Sequence, residues 1–119
     1  MRGFLALVAR RKMPSMTNEK QFQRVAAVAD VPAQGGLAVT LGELELALFN
    51  LAGTIYAIHD YCPHRGASLA QGFLSGTRVL CPWHLFDFDL QTGACGSTPG
   101  LKVGTYPVKV ESGEVYVLV

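Results

Sequence analysis

Two short segments place a cysteine beside a histidine: Cys62-Pro63-His64 and Cys81-Pro82-Trp83-His84, with sixteen residues between His64 and Cys81. Two thiolates and two imidazoles suit a binuclear centre in which one iron takes sulfur ligands and the other nitrogen ligands. The chemistry of such a centre is one-electron transfer. Each segment follows a stretch of strand character and carries a proline that restricts the backbone, so both pairs project from stiff loops that limit reorganisation on electron transfer. Glycines at Gly66 and Gly72 flank the first loop. Gly93, Gly96 and Gly100 punctuate a third segment ending in Ser97-Thr98-Pro99-Gly100, which is expected to cap the metal.

The same four side chains would also satisfy a tetrahedral zinc ion and make the chain a zinc-stabilised interaction module. Spacing argues against this, because paired zinc ligands are separated by two or more residues and a single residue separates Cys62 from His64. Other chemistry-bearing residues have plainer readings. Cys95, beside glycine, reads as a small packed side chain. His59 ends a strand as an ordinary hydrogen-bonded or surface histidine. Trp83 reads as packing. Asp87 and Asp89 alternate along a strand, either as a charge for a partner or as solvated positions, and Arg65 is placed either to meet a docking protein or to pair with a carboxylate.

The elements that must position these residues are β-strands. Glycine and proline recur at short intervals, and the apolar stretches are short and rich in Val, Leu, Ile, Phe and Tyr. The pattern predicts strands near Phe22 to Ala29, Leu37 to Thr40, Glu43 to Leu51, Thr54 to His59, Thr77 to Cys81, Phe86 to Leu90, Thr105 to Glu111 and Glu114 to Val119. Ala52-Gly53 and Ser112-Gly113 join adjacent strands as hairpin turns. Glu43 and Glu45 share one face of their strand and read as a solvated surface rather than an acid pair.

With 119 residues, half of them hydrophobic and 16% charged, the chain is one globular domain. Four of the ten basic residues, Arg2, Arg10, Arg11 and Lys12, precede Met16, so the body carries nine acids against six bases. No cluster of Lys and Arg with interleaved aromatics suggests a nucleic-acid partner. The apolar run Gly3 to Ala9 is too short for a membrane span and has the wrong charge order for a secretory signal. Met13 and Met16 are alternative starts. Residues 1–18 are therefore expected to be a poorly structured or untranslated extension, and residues 19–119 the domain. Three cysteines make no even disulfide framework, which favours metal binding in a reducing compartment, the cytoplasm.

Cys-x-His, a spacer of sixteen and Cys-x-x-His, together with both prolines, Arg65-Gly66-Ala67, Asp87-Phe88-Asp89 and Thr92-Gly93, resemble the signature of Rieske iron-sulfur proteins, over roughly Phe22 to Val119. The resemblance implies an all-β fold, an antiparallel β-sandwich of the Rieske type with a small cluster-binding subdomain. It implies one Rieske-type [2Fe-2S] cluster, with Cys62 and Cys81 on one iron, His64 and His84 on the other, and two bridging sulfides. The function it implies is that of a small ferredoxin, a non-catalytic carrier taking electrons from an NAD(P)H-oxidising flavoprotein reductase to a terminal oxygenase. The alternative is the small subunit of an assimilatory NAD(P)H nitrite reductase, partnered by its large subunit. Only 35 residues follow His84, too few for a mononuclear-iron domain. No membrane partner is implied.

Two departures from the high-potential respiratory members bear on energetics. Where those members have a second, disulfide-forming cysteine pair, this chain has Ala67 and Trp83. Where they have a serine and a tyrosine that hydrogen-bond cluster sulfurs, it has Phe86 and Phe88, which cannot donate. Leu85 also replaces the glycine frequent in ring-dioxygenase ferredoxins. With fewer donors to sulfur the extra electron is less well stabilised, so protein-film voltammetry should give a potential nearer about −150 mV than about +300 mV. A strongly positive value would contradict this reading.

Overall fold

The computed structural model describes residues 20–62, 67–82 and 86–119. The extension expected over residues 1–18 lies outside them, as do His64, Arg65, Gly66, Trp83, His84 and Leu85.

The architecture is almost entirely antiparallel β, as expected. Strands β1 (Phe22–Ala27), β10 (Glu114–Leu118) and β9 (Val108–Glu111) form one sheet in the order β1-β10-β9. A second has the order β2-β3-β4-β8, with β2 Gly36–Leu41, β3 Leu44–Leu51, β4 Thr54–His59 and β8 Thr105–Tyr106. The third is small, β5 (Phe73–Ser75), β6 (Arg78–Leu80) and β7 (Asp87–Asp89). Two short 3-10 turns, Val28–Asp30 and Leu69–Gln71, complete the elements.

Side chains of a strand point alternately to opposite faces, and β3 uses both. Leu46 and Leu48 pack with Val115 and Val117 in the sandwich core, while Ala47 and Phe49 pack with Val79 and Phe88 of the small sheet. The central sheet is thus covered on both sides, which explains why residues 46–49 are an unbroken apolar run and all fully buried. Glu43 and Glu45 are exposed, as the sequence suggested.

Both anticipated hairpin turns are present. Ala52 and Gly53 have φ of 54° and 92°, and Ser112 and Gly113 have 51° and 78°, positive at both central positions as a type I′ turn requires. The strand expected over Thr105 to Glu111 is divided at Pro107. Proline has no amide hydrogen to continue a ladder, and the chain changes sheets there: Tyr106 pairs with Ala57 of β4, and Val108 pairs with Val117 of β10. β1 stops at Ala27, two residues before the expected end, where the Asp30 carboxylate accepts the Ala27 amide at 3.3 Å and turns the chain. β5 was not anticipated; three residues are too few for alternation to be visible.

Gly72 joins the turn at Leu69–Gln71 to the small sheet by close backbone approach. A Cβ placed there would lie 2.1 Å from the Leu80 carbonyl oxygen, so any side chain forces the turn away from β6. Gly72→Ala is expected to lower stability by about 1–3 kcal/mol, the range for overpacked sites, measured by urea unfolding. Gly42→Asn, at φ 65° with nothing near its Cβ position, should cost less than about 1 kcal/mol because asparagine tolerates that backbone region.

Candidate metal centre

The two cysteine segments occupy loops of the same construction. In the first, Tyr61 and Ser68 form an antiparallel bridge, and within it the Cys62 amide donates to the Ala67 carbonyl at 2.9 Å. In the second, Leu80 of β6 pairs with Asp87 of β7, and the Cys81 amide donates to the Phe86 carbonyl at 2.7 Å. Each loop therefore runs six residues, opens on its cysteine and is closed at its neck by that cysteine's own backbone. Cys62 and Cys81 are both fully buried and belong to one apolar cluster with Ala67, Leu69, Val79 and Phe88. The expected ligands His64 and His84 lie outside the described residues, on the third position of the first loop and the fourth of the second.

Each neck is braced by a carboxylate. At the first, Asp60 accepts the Ser68 hydroxyl at 2.9 and 2.8 Å and the Ala70 amide at 2.8 Å. At the second, Asp87 accepts from Arg78 Nη1 at 3.2 Å. The third segment rests on this pair. Its Gly96 amide donates to the Asp87 carbonyl at 3.0 Å, and a Cβ on Gly96 would come within 2.6 Å of Asp87 Oδ2. The segment closes on itself as the Cys95 amide donates to Leu101 at 2.9 Å, while Ser97, Thr98 and Pro99 are exposed. The segment thus contacts the second neck, and a cap over the metal is not among the described contacts.

Asp87 is thus a brace, and the Asp89 carboxylate accepts the amides of Gln91 and Thr92 at 2.8 and 3.1 Å, stabilising the turn after β7. His59 donates its amide to Gly104 at 2.9 Å, with its ring 6.0 Å from that of Tyr61, an ordinary strand-end residue. Cys95 is buried with Sγ 3.5 Å from Ser97 Oγ. Burial pushes its thiol up, but hydrogen bonds with Ser97 and Thr98 outweigh this and hold it below the ordinary thiol value. Phe88 is fully buried in the cysteines' apolar cluster, and neither it nor Phe86 carries a side-chain donor.

Sequence reasoning missed Asp60, Ser68 and Arg78. The available signal was a lone charge in the apolar run between β4 and the first motif; its partners stand across the loop, eight and ten residues on. Two exposed aromatics border the necks. Tyr61, 50% exposed, precedes Cys62, and Phe73, 62% exposed, pairs with Leu80, which precedes Cys81. A groove of about 360 Å³ between β4, β8 and Leu90-Gln91 includes none of the residues of the two loops.

Residues 21–107 match the Rieske [2Fe-2S] domain family. The ferredoxin subunit of a 3-phenylpropionate/cinnamic acid dioxygenase from Shigella flexneri is 40% identical over 92 residues, covering 76% of this chain and 86% of that one. The structure of a complex of reduced oxygenase and oxidised ferredoxin in carbazole 1,9a-dioxygenase contains a similar chain, with 35% identity, a TM-score of 0.73, and 81% and 91% of the two chains covered. A Mycobacterium tuberculosis protein described as the small subunit of an NADH-dependent nitrite reductase has a TM-score of 0.78 at 25% identity, covering 84% and 96%. The chain belongs to the Rieske [2Fe-2S] domain family, and its cofactor is one Rieske-type [2Fe-2S] cluster.

The described residues fit that group: two buried thiols lie in one apolar cluster, each at the neck of a loop closed by its own backbone amide. Cys62→Ser and Cys81→Ser are each expected to lose iron, acid-labile sulfide and visible absorbance, and Cys95→Ser to retain all three. Loss in the Cys95 variant would give that residue a role the geometry does not.

Proposed function

We propose that Cys62, His64, Cys81 and His84 hold the cluster, within a domain of residues 19–119. On this reading the chain is a cytoplasmic one-electron carrier between an NAD(P)H-oxidising flavoprotein reductase and a terminal oxygenase. The observation that carries the proposal is the pair of like loops, each headed by a fully buried cysteine. Identity of 40% to a dioxygenase ferredoxin subunit supports the choice of partner. Among the described residues no helix is long and apolar enough to cross a membrane.

The bound cluster supplies a one-electron couple. The chain's own residues supply the rest. Ala67, Leu69, Val79 and Phe88 exclude water from the cysteine side, which lowers the local permittivity and limits solvent rearrangement when charge arrives. The closed necks hold both cysteines in place in either charge state. Tyr61 and Phe73 give the loops an apolar border, the kind of exposed surface that marks a contact site for a protein partner.

A second reading, the small subunit of a nitrite reductase, draws support from the TM-score of 0.78 to such a protein. The higher sequence identities lie with the dioxygenase ferredoxins.

The test is reconstitution. Added to a cognate flavoprotein reductase and terminal oxygenase, the purified protein should restore NAD(P)H-dependent oxygenation. Phe73→Asp should lower that turnover about tenfold, the loss of one well-packed contact of about 1.4 kcal/mol, without changing the cluster's absorbance. Failure to restore turnover, with stable co-purification of a sirohaem subunit, would overturn the oxygenase reading in favour of the nitrite reductase.

A further inference from the structure

Among the described residues Asp60 is the buried charged side chain, at 8% exposure, and it stands two residues ahead of Cys62. Burying a carboxylate is costly unless it is hydrogen-bonded or paired. Asp60 is hydrogen-bonded: the Ser68 hydroxyl spans both its oxygens, and Oδ1 also accepts the Ala70 amide. Its backbone is equally committed, the amide donating to Glu45 at 3.0 Å and the carbonyl accepting from Leu69 at 3.4 Å. No lysine or arginine among the described residues forms an ion pair with it. The equivalent brace of the second loop differs, since Asp87 is neutralised by Arg78 at 3.2 Å.

The asymmetry has an electrostatic consequence. Two ferric ions, two sulfides and two thiolates with neutral imidazoles cancel to no net charge, and the added electron leaves a single negative charge. A fixed carboxylate nearby therefore acts chiefly on the reduced form, and acts against it.

We propose that Asp60 is a positioning residue with two effects: its carboxylate clamps the neck of the first ligand loop, and its charge, which no lysine or arginine among the described residues pairs, lowers the reduction potential of the centre. The proposal rests on the cluster reading and deepens it, adding to the missing sulfur donors at Phe86 and Phe88 a second cause of low potential that belongs to this chain's own buried residues.

The variants separate charge from clamp. Asp60→Asn removes the charge and keeps the shape and the acceptor for Ala70. It should leave the visible and paramagnetic spectra of the cluster unchanged and shift the reduction equilibrium about tenfold toward the reduced form, the order of effect of removing one fixed charge in a protein interior. That is a rise of ~59 mV for a one-electron couple. Ser68→Ala keeps the charge and weakens the clamp, so it should shed iron faster to a chelator without raising the potential. Ser68→Lys sets a cation against an intact Asp60 and should raise the potential as Asp60→Asn does, which tests the charge should the asparagine variant fail to assemble. An intact cluster with unmoved potential in Asp60→Asn, or in Ser68→Lys if that is the variant that assembles, would overturn the proposal. A wild-type protein free of acid-labile sulfide would overturn the cluster reading itself.

Discussion

The constraint on which the rest of the structure depends is the closing of two six-residue loops by hydrogen bonds from their own cysteines. A thiolate can serve as a metal ligand only where it is held, and a loop of six residues has many conformations to lose. The bonds from Cys62 to Ala67 and from Cys81 to Phe86 remove most of that freedom at the necks. They also set both cysteines at the same place in their loops, with both side chains in the same apolar cluster. The chain has solved one problem twice, with only the short segment of Leu69–Gln71 and the β5–β6 hairpin between the solutions.

The sheets follow from the need to anchor those loops. A three-stranded sheet as small as β5-β6-β7 is not stable alone, since strands need a packed face. Here it packs on the central sheet through Ala47, Phe49 and Ile58, while the opposite face of that sheet holds Leu46 and Leu48 against β10. Pro107 lets one stretch of chain serve two sheets, its first half pairing with β4 and its second with β10. The cluster-binding unit thereby gains a rigid support that reaches the sandwich core through a single shared sheet.

Much of this was legible in the residues. The hairpins at Ala52-Gly53 and Ser112-Gly113 are local, each decided by two positions that tolerate positive φ, so sequence alone finds them. The cysteine loops are local as well, because the motif, the proline and the closing residue all fall within six positions. The clamp at Asp60 and the ion pair of Arg78 with Asp87 were not legible, since each joins residues eight or more apart whose meeting depends on the loop between them. The division at Pro107 was hidden for another reason: alternation continues through it, and only the change of partner strand shows that one run is two elements. The contact of the third segment with the second neck rests on Gly96, whose lack of a side chain is meaningful only beside Asp87.

Electron paramagnetic resonance of the dithionite-reduced protein, purified without oxygen, tests most directly whether these loops hold an iron-sulfur centre with mixed ligands. Membership of the Rieske family predicts a rhombic signal with a low average g, as expected where one iron takes nitrogen ligands and the other sulfur. A colourless, silent protein containing zinc would contradict the account at its base.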